Sequence, residues 1–326
     1  MTHAPLTGSL SCYTSAVLGY LTPEDVHAPR RVAQSVRLAL RPAHGALAFS
    51  HHAPGLDRLP GGGALRYRGT PSRDDALAGI DRELRARGRV LVAGNAAHLP
   101  WAAPGQRDAP HFLLVTGHRD GGWHVSDPFA GLFPNGHEQQ PFTGWISEHA
   151  LSAALTTDDR FSLTQRRRTA LAFGSPLPLP PRGTHQWLVR EEAEGPRPDD
   201  HDVIDAPEQV FADIAAMLHD AFAGTGEPAV LEDLWAAARH HRFQYRALVG
   251  ERNLDSPAAP LRAVRHADAC WADLPKTLRF AAGSARRGRP RTALVDNALH
   301  TLAEATAAAR SVLAEYGYGV RTPLSL

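Results

Sequence analysis

The chain is short of cysteine, of net charge and of long apolar runs, and each shortage removes a class of function. Two cysteines in 326 residues, Cys12 and Cys270, supply neither a disulfide framework nor the paired spacing of a zinc site. A reducing compartment is the simplest setting. A formal net charge of +1 gives no bulk attraction to a polyanion, so no nucleic-acid partner is expected. No run approaches the ~20 apolar residues needed to cross a bilayer. The opening segment, Met1 to Leu10, has neither a basic n-region nor an apolar h-region, so a cytoplasmic protein without a membrane partner is expected. What is present suffices for a core: 43% of the residues are hydrophobic, enough for one large domain or two ordinary ones.

Along the chain the pattern changes once. Up to about Leu163 short helices alternate with strands. Thr22-Pro23-Glu24-Asp25 reads as a helix start with Thr22 as cap, and Thr70 to Asp75 as a second. The second is followed by Leu77, Ile80 and Leu84 on one face, Gly88 as a stop, and a strand over Arg89 to Gly94. Between Gly174 and Asp205 prolines, glycines and charges dominate, which predicts a linker over 174–205. Beyond it alanine-rich helical stripes take over, one on Phe211, Ile214, Ala215 and Leu218, another running from Leu294 through Leu302 to Tyr316 and ending at Gly317. The expected organisation is therefore a mixed domain over 1–173, the linker, and a helical domain over 206–326.

The chemistry centres on three residues. Cys12 opens an apolar helical stretch, and a thiol there feels the positive end of the helix dipole, which favours the attacking thiolate. A lone cysteine is more often a small buried hydrophobe. The hairpin that follows changes the balance. Pro110 to His118 reads as a buried strand, Asp120-Gly121-Gly122 as a tight turn and Trp123 to Ser126 as the return strand, which Asp127-Pro128 ends. His111 near the start of one arm can then neighbour Asp127 at the end of the other. Thiol, imidazole and carboxylate in that order are the parts of a papain-type nucleophilic site, with the carboxylate orienting the imidazole.

The residues that carry this pattern also resemble a family. Ser11-Cys12-Tyr13-Thr14-Ser15-Ala16, Val90-Leu91-Val92, Leu99-Pro100-Trp101, His111 to Gly117 and Val125-Ser126-Asp127-Pro128 are similar to the papain-fold N-terminal domain typified by the butirosin biosynthesis acyltransferase. They are more distantly similar to the double-glycine cysteine peptidases. The helical second half looks like the domain of unknown function that often follows. The resemblance implies an α+β, papain-like fold, with helices packed on an antiparallel sheet and a helical C-terminal domain. It implies an acyl or aminoacyl transferase of specialised metabolism, in which an acyl group held as a thioester, often on the phosphopantetheine arm of an acyl carrier protein, moves to Cys12 and then to an amine. Cys12 would be the nucleophile, His111 the general base and acid, and Asp127 the orienting carboxylate. Papain-like peptidases carry an oxyanion-stabilising glutamine six residues before the cysteine, where this chain has Leu6. That departure argues against ordinary peptidase chemistry. The Cys12 N–H would supply one oxyanion donor, with Ser9, Ser11 and Asn95 as candidates for the second.

Two alternatives share these residues: a hydrolase of a peptide, amide or thioester, and a catalytically inactive scaffold. The basic run Arg286, Arg287, Arg289 and Arg291 is ordinarily a solvated loop, but it would also dock an acidic carrier protein or a coenzyme A phosphate. His98, His118 and His124 fall near the hairpin and read as ordinary strand or surface residues. The adjacent pairs His51-His52 and His240-His241 diverge in any regular structure and lack metal-ligand spacing. Gly61-Gly62-Gly63 reads as a mobile loop without phosphate-binding features, so neither metal nor cofactor is expected.

Overall fold

Ser11 begins the first helix: its backbone is extended and its side-chain oxygen accepts from the Thr14 N–H, which caps α1 (Cys12–Leu21). The computed structural model describes residues 10–43, 46–59, 62–102, 105–132, 138–193, 203–224, 229–250 and 261–316. It is an α+β protein of two compact units, one made of Met1–Ala28 and His52–Asp199, the other of Pro29–His51 and Asp200–Leu326. No helix among the described residues is long and apolar enough to cross a membrane.

Thr22 ends α1 instead of starting a new helix. Its hydroxyl donates to the Leu18 carbonyl at 2.7 Å, and Pro23, without an N–H, cannot continue the ladder. The next helix, α2 (Ala28–Ser35), starts five residues later than a helix capped by Thr22 would. Two strands, β1 (Val36–Ala43) and β2 (Ala46–His52), follow as a hairpin.

The first unit is built on a six-stranded antiparallel sheet of β3 (Gly63–Thr70), β4 (Val90–Asn95), β5 (Pro110–Arg119), β6 (Gly122–Asp127), β9 (Phe142–Ser147) and β10 (His185–Glu192), in the order β3-β10-β4-β5-β6-β9. Two short strands, β7 (Gly131–Leu132) and β8 (Glu138–Gln139), pair outside it. The predicted hairpin forms: Asp120 and Gly121 both take positive φ, 48° and 71°, as a two-residue turn between twisted strands requires. One face of the sheet, with Val90, Val92, Leu113, Val115, Trp123 and Val125, packs on Ala76, Ile80 and Leu84 of α3 (Arg73–Arg87) and on Leu151 and Ala154 of α4 (Glu148–Ala154). On the other, the ring of Tyr13 from α1 meets Phe112 edge-on at 6.4 Å. α3 starts two residues beyond the Thr70-Pro71 start, with Ser72 as N-cap, while Asp74 and Asp75 fall in its first turn and left-handed Gly88 ends it as the sequence signals.

The expected linker over 174–205 contains β10, which pairs along its whole length with β3 and at Gln186 and Trp187 with β4. The four-residue core Gln186-Trp187-Leu188-Val189 is flanked by prolines on one side and charges on the other, so composition averaged over the segment conceals it. The mixed unit therefore extends past residue 173. The second unit also takes in the β1–β2 hairpin, whose Leu40 exchanges backbone hydrogen bonds with Ile204.

In that second unit the helices are α5's successors in the chain: after α5 (Leu163–Ala170) of the first unit come α6 (Pro207–Ala223), α7 (Val230–Val249), α8 (Arg262–Arg286) and α9 (Thr292–Glu315). Their apolar faces, Ile214 and Leu218, Leu234, Trp271 and Leu278, Leu299 and Leu302, make one core with Leu40 and Phe49. The predicted stripe on the last helix is shifted by one position at its start. Val295 is buried and Leu294 is exposed; Gly317 lies outside the described residues.

Candidate active site

The three residues singled out by the sequence come from three elements of the first unit. Cys12 is the first residue of α1 and remains partly accessible. His111 is the second residue of β5, and Asp127 is the last of β6. In the antiparallel register Leu114 lies opposite Ser126, so His111 and Asp127 are diagonal neighbours at one end of the pair. His111 Nε2 stands 2.8 Å from Asp127 Oδ2, and the two side chains are buried. Cys12 is the other group whose charge and hydrogen bonding act on the His111 imidazole. The sequence-predicted trio thus gathers around one imidazole, with Asp127 in contact with its Nε2 and Cys12 near enough to act on its charge.

The electrostatics favour a charged imidazole. Burial pulls His111 down, but the negative charges of Asp127 and Cys12, with hydrogen bonds to both, outweigh it and push its pKa up to about 10. Imidazolium is the partner a thiolate requires. Tyr67 on β3, buried with its hydroxyl donating to the Thr169 carbonyl at 2.9 Å, is held well above the usual phenol range by burial and by the charge of Cys12.

Asp127 is fixed by more than the histidine. Its Oδ2 also accepts from Trp101 Nε1 at 2.8 Å and Gln139 Nε2 at 2.9 Å, and its Oδ1 from the Phe129 N–H at 3.1 Å. Four groups thus converge on this one carboxylate. Trp101 stacks on Phe142 with centroids 4.2 Å apart, and the Phe129 ring stands edge-on to His111 at 5.6 Å. Sequence reasoning missed Trp101 and Gln139 as functional residues. Trp101 lay in view beside Leu99-Pro100, whereas Gln139 arrives on the two-residue β8 with no local signal.

The proposed second oxyanion donors fare less well. Ser9, like Leu6, lies outside the described residues. Ser11 serves the helix cap, since its hydroxyl donates to Thr14 Oγ1 at 3.1 Å while accepting from the Thr14 N–H. Asn95 is buried: Nδ2 donates to Asp108 at 2.7 Å, and Oδ1 accepts from the N–H groups of Ala97 and Ala109. The hydrogen bonds described for these two residues run to Thr14 and to Ala97, Asp108 and Ala109. The Cys12 N–H, in the first turn of α1, remains the donor that the helix geometry offers.

Other histidines sort themselves by their partners. His98 lies 3.9 Å from Asp108, His118 pairs with Asp81 and stacks on Trp123, and His124 meets Thr116 and Trp145. None of these three joins the triad. His52 had no assigned role, yet its Nε2 lies 3.0 Å from Thr14 Oγ1, extending the cap of the nucleophile helix into a Ser11–Thr14–His52 chain. In the second unit His51 and His240 meet edge-on at 5.1 Å and His241 stacks on Trp271 at 4.4 Å. Among the described residues no group of three or more metal-ligating side chains converges. Gly62 and Gly63 lead into β3 and build no loop site, and Gly61 lies outside the described residues. Arg286, Arg287, Arg289 and Arg291 are exposed around the turn between α8 and α9.

No family model and no curated protein matches the chain.

Proposed function

We propose that the protein is a cysteine acyltransferase of papain-like fold, which takes an acyl group from a thioester onto Cys12 and passes it to an amine. The observation that carries the reading is the buried His111 imidazole, held by Asp127 at 2.8 Å and acted on by Cys12, a constellation whose chemistry is nucleophilic acyl transfer. The Cys12 thiolate adds to the thioester carbonyl, and the oxyanion falls toward the Cys12 N–H at the positive end of α1. Collapse breaks the bond to the donor sulfur, which leaves with the proton from His111. An amine then adds to the acyl-Cys12 carbonyl and yields a proton to His111. The bond to the Cys12 sulfur breaks, releasing the amide and restoring the thiolate–imidazolium pair.

Amine acceptance over hydrolysis is supported by Leu6 in place of the peptidase glutamine and by the resemblance of the nucleophile and hairpin segments to the butirosin-type acyltransferase. The donor would be an acyl group on the phosphopantetheine of a carrier protein, with the exposed arginines 286, 287, 289 and 291 as its docking surface. Two free cysteines suit a cytoplasmic setting.

Intact-mass measurement tests the reading. A thioester donor should leave an acyl adduct on the wild-type protein and none on Cys12→Ala, and amines should discharge the adduct faster than water. An adduct discharged by water alone, with every amine tested inert, would make the protein a hydrolase. No adduct with any thioester would end the acyl-enzyme reading.

A further inference from the structure

Three N–H donors meet on one oxygen of Asp127. His111 Nε2, Trp101 Nε1 and Gln139 Nε2 lie 2.8, 2.8 and 2.9 Å from Oδ2, while Oδ1 receives only the Phe129 N–H. A carboxylate offers about four acceptor positions over its two oxygens, so Oδ2 is oversubscribed and each donor competes with the other two. The imidazole thus faces a carboxylate whose charge is already divided.

The second observation is what Gln139 gives up to be there. The residue is fully buried, and its Oε1 has no hydrogen-bond partner among the described residues. Burying an amide carbonyl unpaired is unfavourable, and among the described residues the one hydrogen bond its side chain makes is the donation to Asp127. Packing alone would be served as well by an apolar side chain of similar size. Trp101, in turn, has its ring already held flat on Phe142, so its N–H is aimed by a contact independent of the carboxylate.

We propose that Trp101 and Gln139 are positioning residues that act on His111 through Asp127: by sharing Oδ2 they lock the carboxylate rotamer and draw part of its charge away from the imidazolium. The proposal rests on the acyl-transfer reading of Cys12, His111 and Asp127. It addresses a need of that chemistry, because a buried imidazolium paired to an undivided carboxylate would hold its proton too firmly to serve as acid in one step and base in the next. The charged or titratable groups that face His111 are Asp127 from β6 and Cys12 from α1; Tyr67 from β3 faces Cys12. Trp101 and Gln139 tune this set without adding a charge.

The test uses the full-length protein and the pH dependence of Cys12 alkylation by iodoacetamide, which reads the thiolate–imidazolium pair without any acyl substrate. Gln139→Leu and Trp101→Phe should each move the alkaline limb, where His111 loses its proton, upward by roughly half to one pH unit. Asp127→Asn should move it down. With a thioester donor, both positioning variants should lower kcat severalfold and leave KM for the donor within about twofold. Should Gln139→Leu fail to fold, Trp101→Phe, which keeps the ring and removes only the N–H, decides alone. An alkaline limb unmoved in a folded Trp101→Phe would overturn the proposal and leave the triad standing. A wild-type Cys12 that alkylates no faster than Cys270 and shows no such limb would instead remove the acyl-transfer reading itself.

Discussion

His111 Nε2 lies 2.8 Å from Asp127 Oδ2 in a buried pair, and that contact fixes the orientation of the imidazole ring. Asp127→Asn should keep the shape of the site while removing the charge that supports the imidazolium. The amide nitrogen, if turned toward Oδ2's position, would oppose three donors with a fourth. We expect the rate of acyl-adduct formation at neutral pH to fall by ~10² to 10⁴, as for orienting carboxylates in other triads, with the melting temperature falling less steeply than activity. A loss below about fivefold, followed by intact mass over time, would show that His111 is oriented by other means.

The two cysteines should differ in reactivity. Cys270 lies on α8, one turn from His266, with sulfur–nitrogen distances of 3.8 and 4.0 Å, but burial and the charge of Asp273 push its thiol up. Cys12 has a helix N-terminus and a buried imidazolium beside it. At pH 7 iodoacetamide should therefore modify Cys12 at least tenfold faster, by peptide mapping of the native protein. Faster modification of Cys270 would mean that the histidine beside Cys12 does not activate it.

Much of this site was legible because its parts are local. Cys12 sits behind a capping serine, and His111 and Asp127 flank a turn whose Asp120-Gly121 sequence fixes the pairing. Strand alternation then places both on one face. What escaped was nonlocal or averaged away. Gln139 reaches Asp127 from a two-residue strand, and His52 reaches Thr14 from 38 positions along the chain, contacts that no periodicity announces. Strand β10 was hidden between a proline run and a charged run. Thr22 was misread because a threonine before Pro-Glu-Asp suits a helix start, although the same hydroxyl can close the preceding helix by bonding back to Leu18.

Gly79 on α3 should be intolerant of any side chain. A Cβ there would stand 2.4 Å from Trp187 Cζ2, and the Trp187 ring is buried between the helix and β10. The helix itself would gain from alanine, by about 1 kcal/mol. Overpacking a ring that has no room to move costs more, about 1–3 kcal/mol, so Gly79→Ala should be net destabilising in urea unfolding. A more stable variant would show that Trp187 can shift on the sheet.

Acid should weaken the second unit through His241. Its ring lies flat on Trp271 at 4.4 Å and 9°, and burial, then the charge of His51, holds its pKa down at about 3 against an ordinary 6.5. Above pH 6.5 the imidazole is neutral folded or unfolded, and it contributes no pH dependence. Below 6.5 the unfolded chain takes up a proton that the folded one refuses, so stability falls steadily until about pH 3, where both forms are charged. By pH 4 the loss from this residue is on the order of 3 kcal/mol. His241→Phe keeps an aromatic ring for the Trp271 stack and removes the titration. Its unfolding free energy, followed by denaturant melts from pH 7 to 4, should decline less steeply than that of the wild type. Parallel declines in the two proteins would show that His241 is not the group whose protonation opposes folding, and that the acid sensitivity arises elsewhere in the helical core.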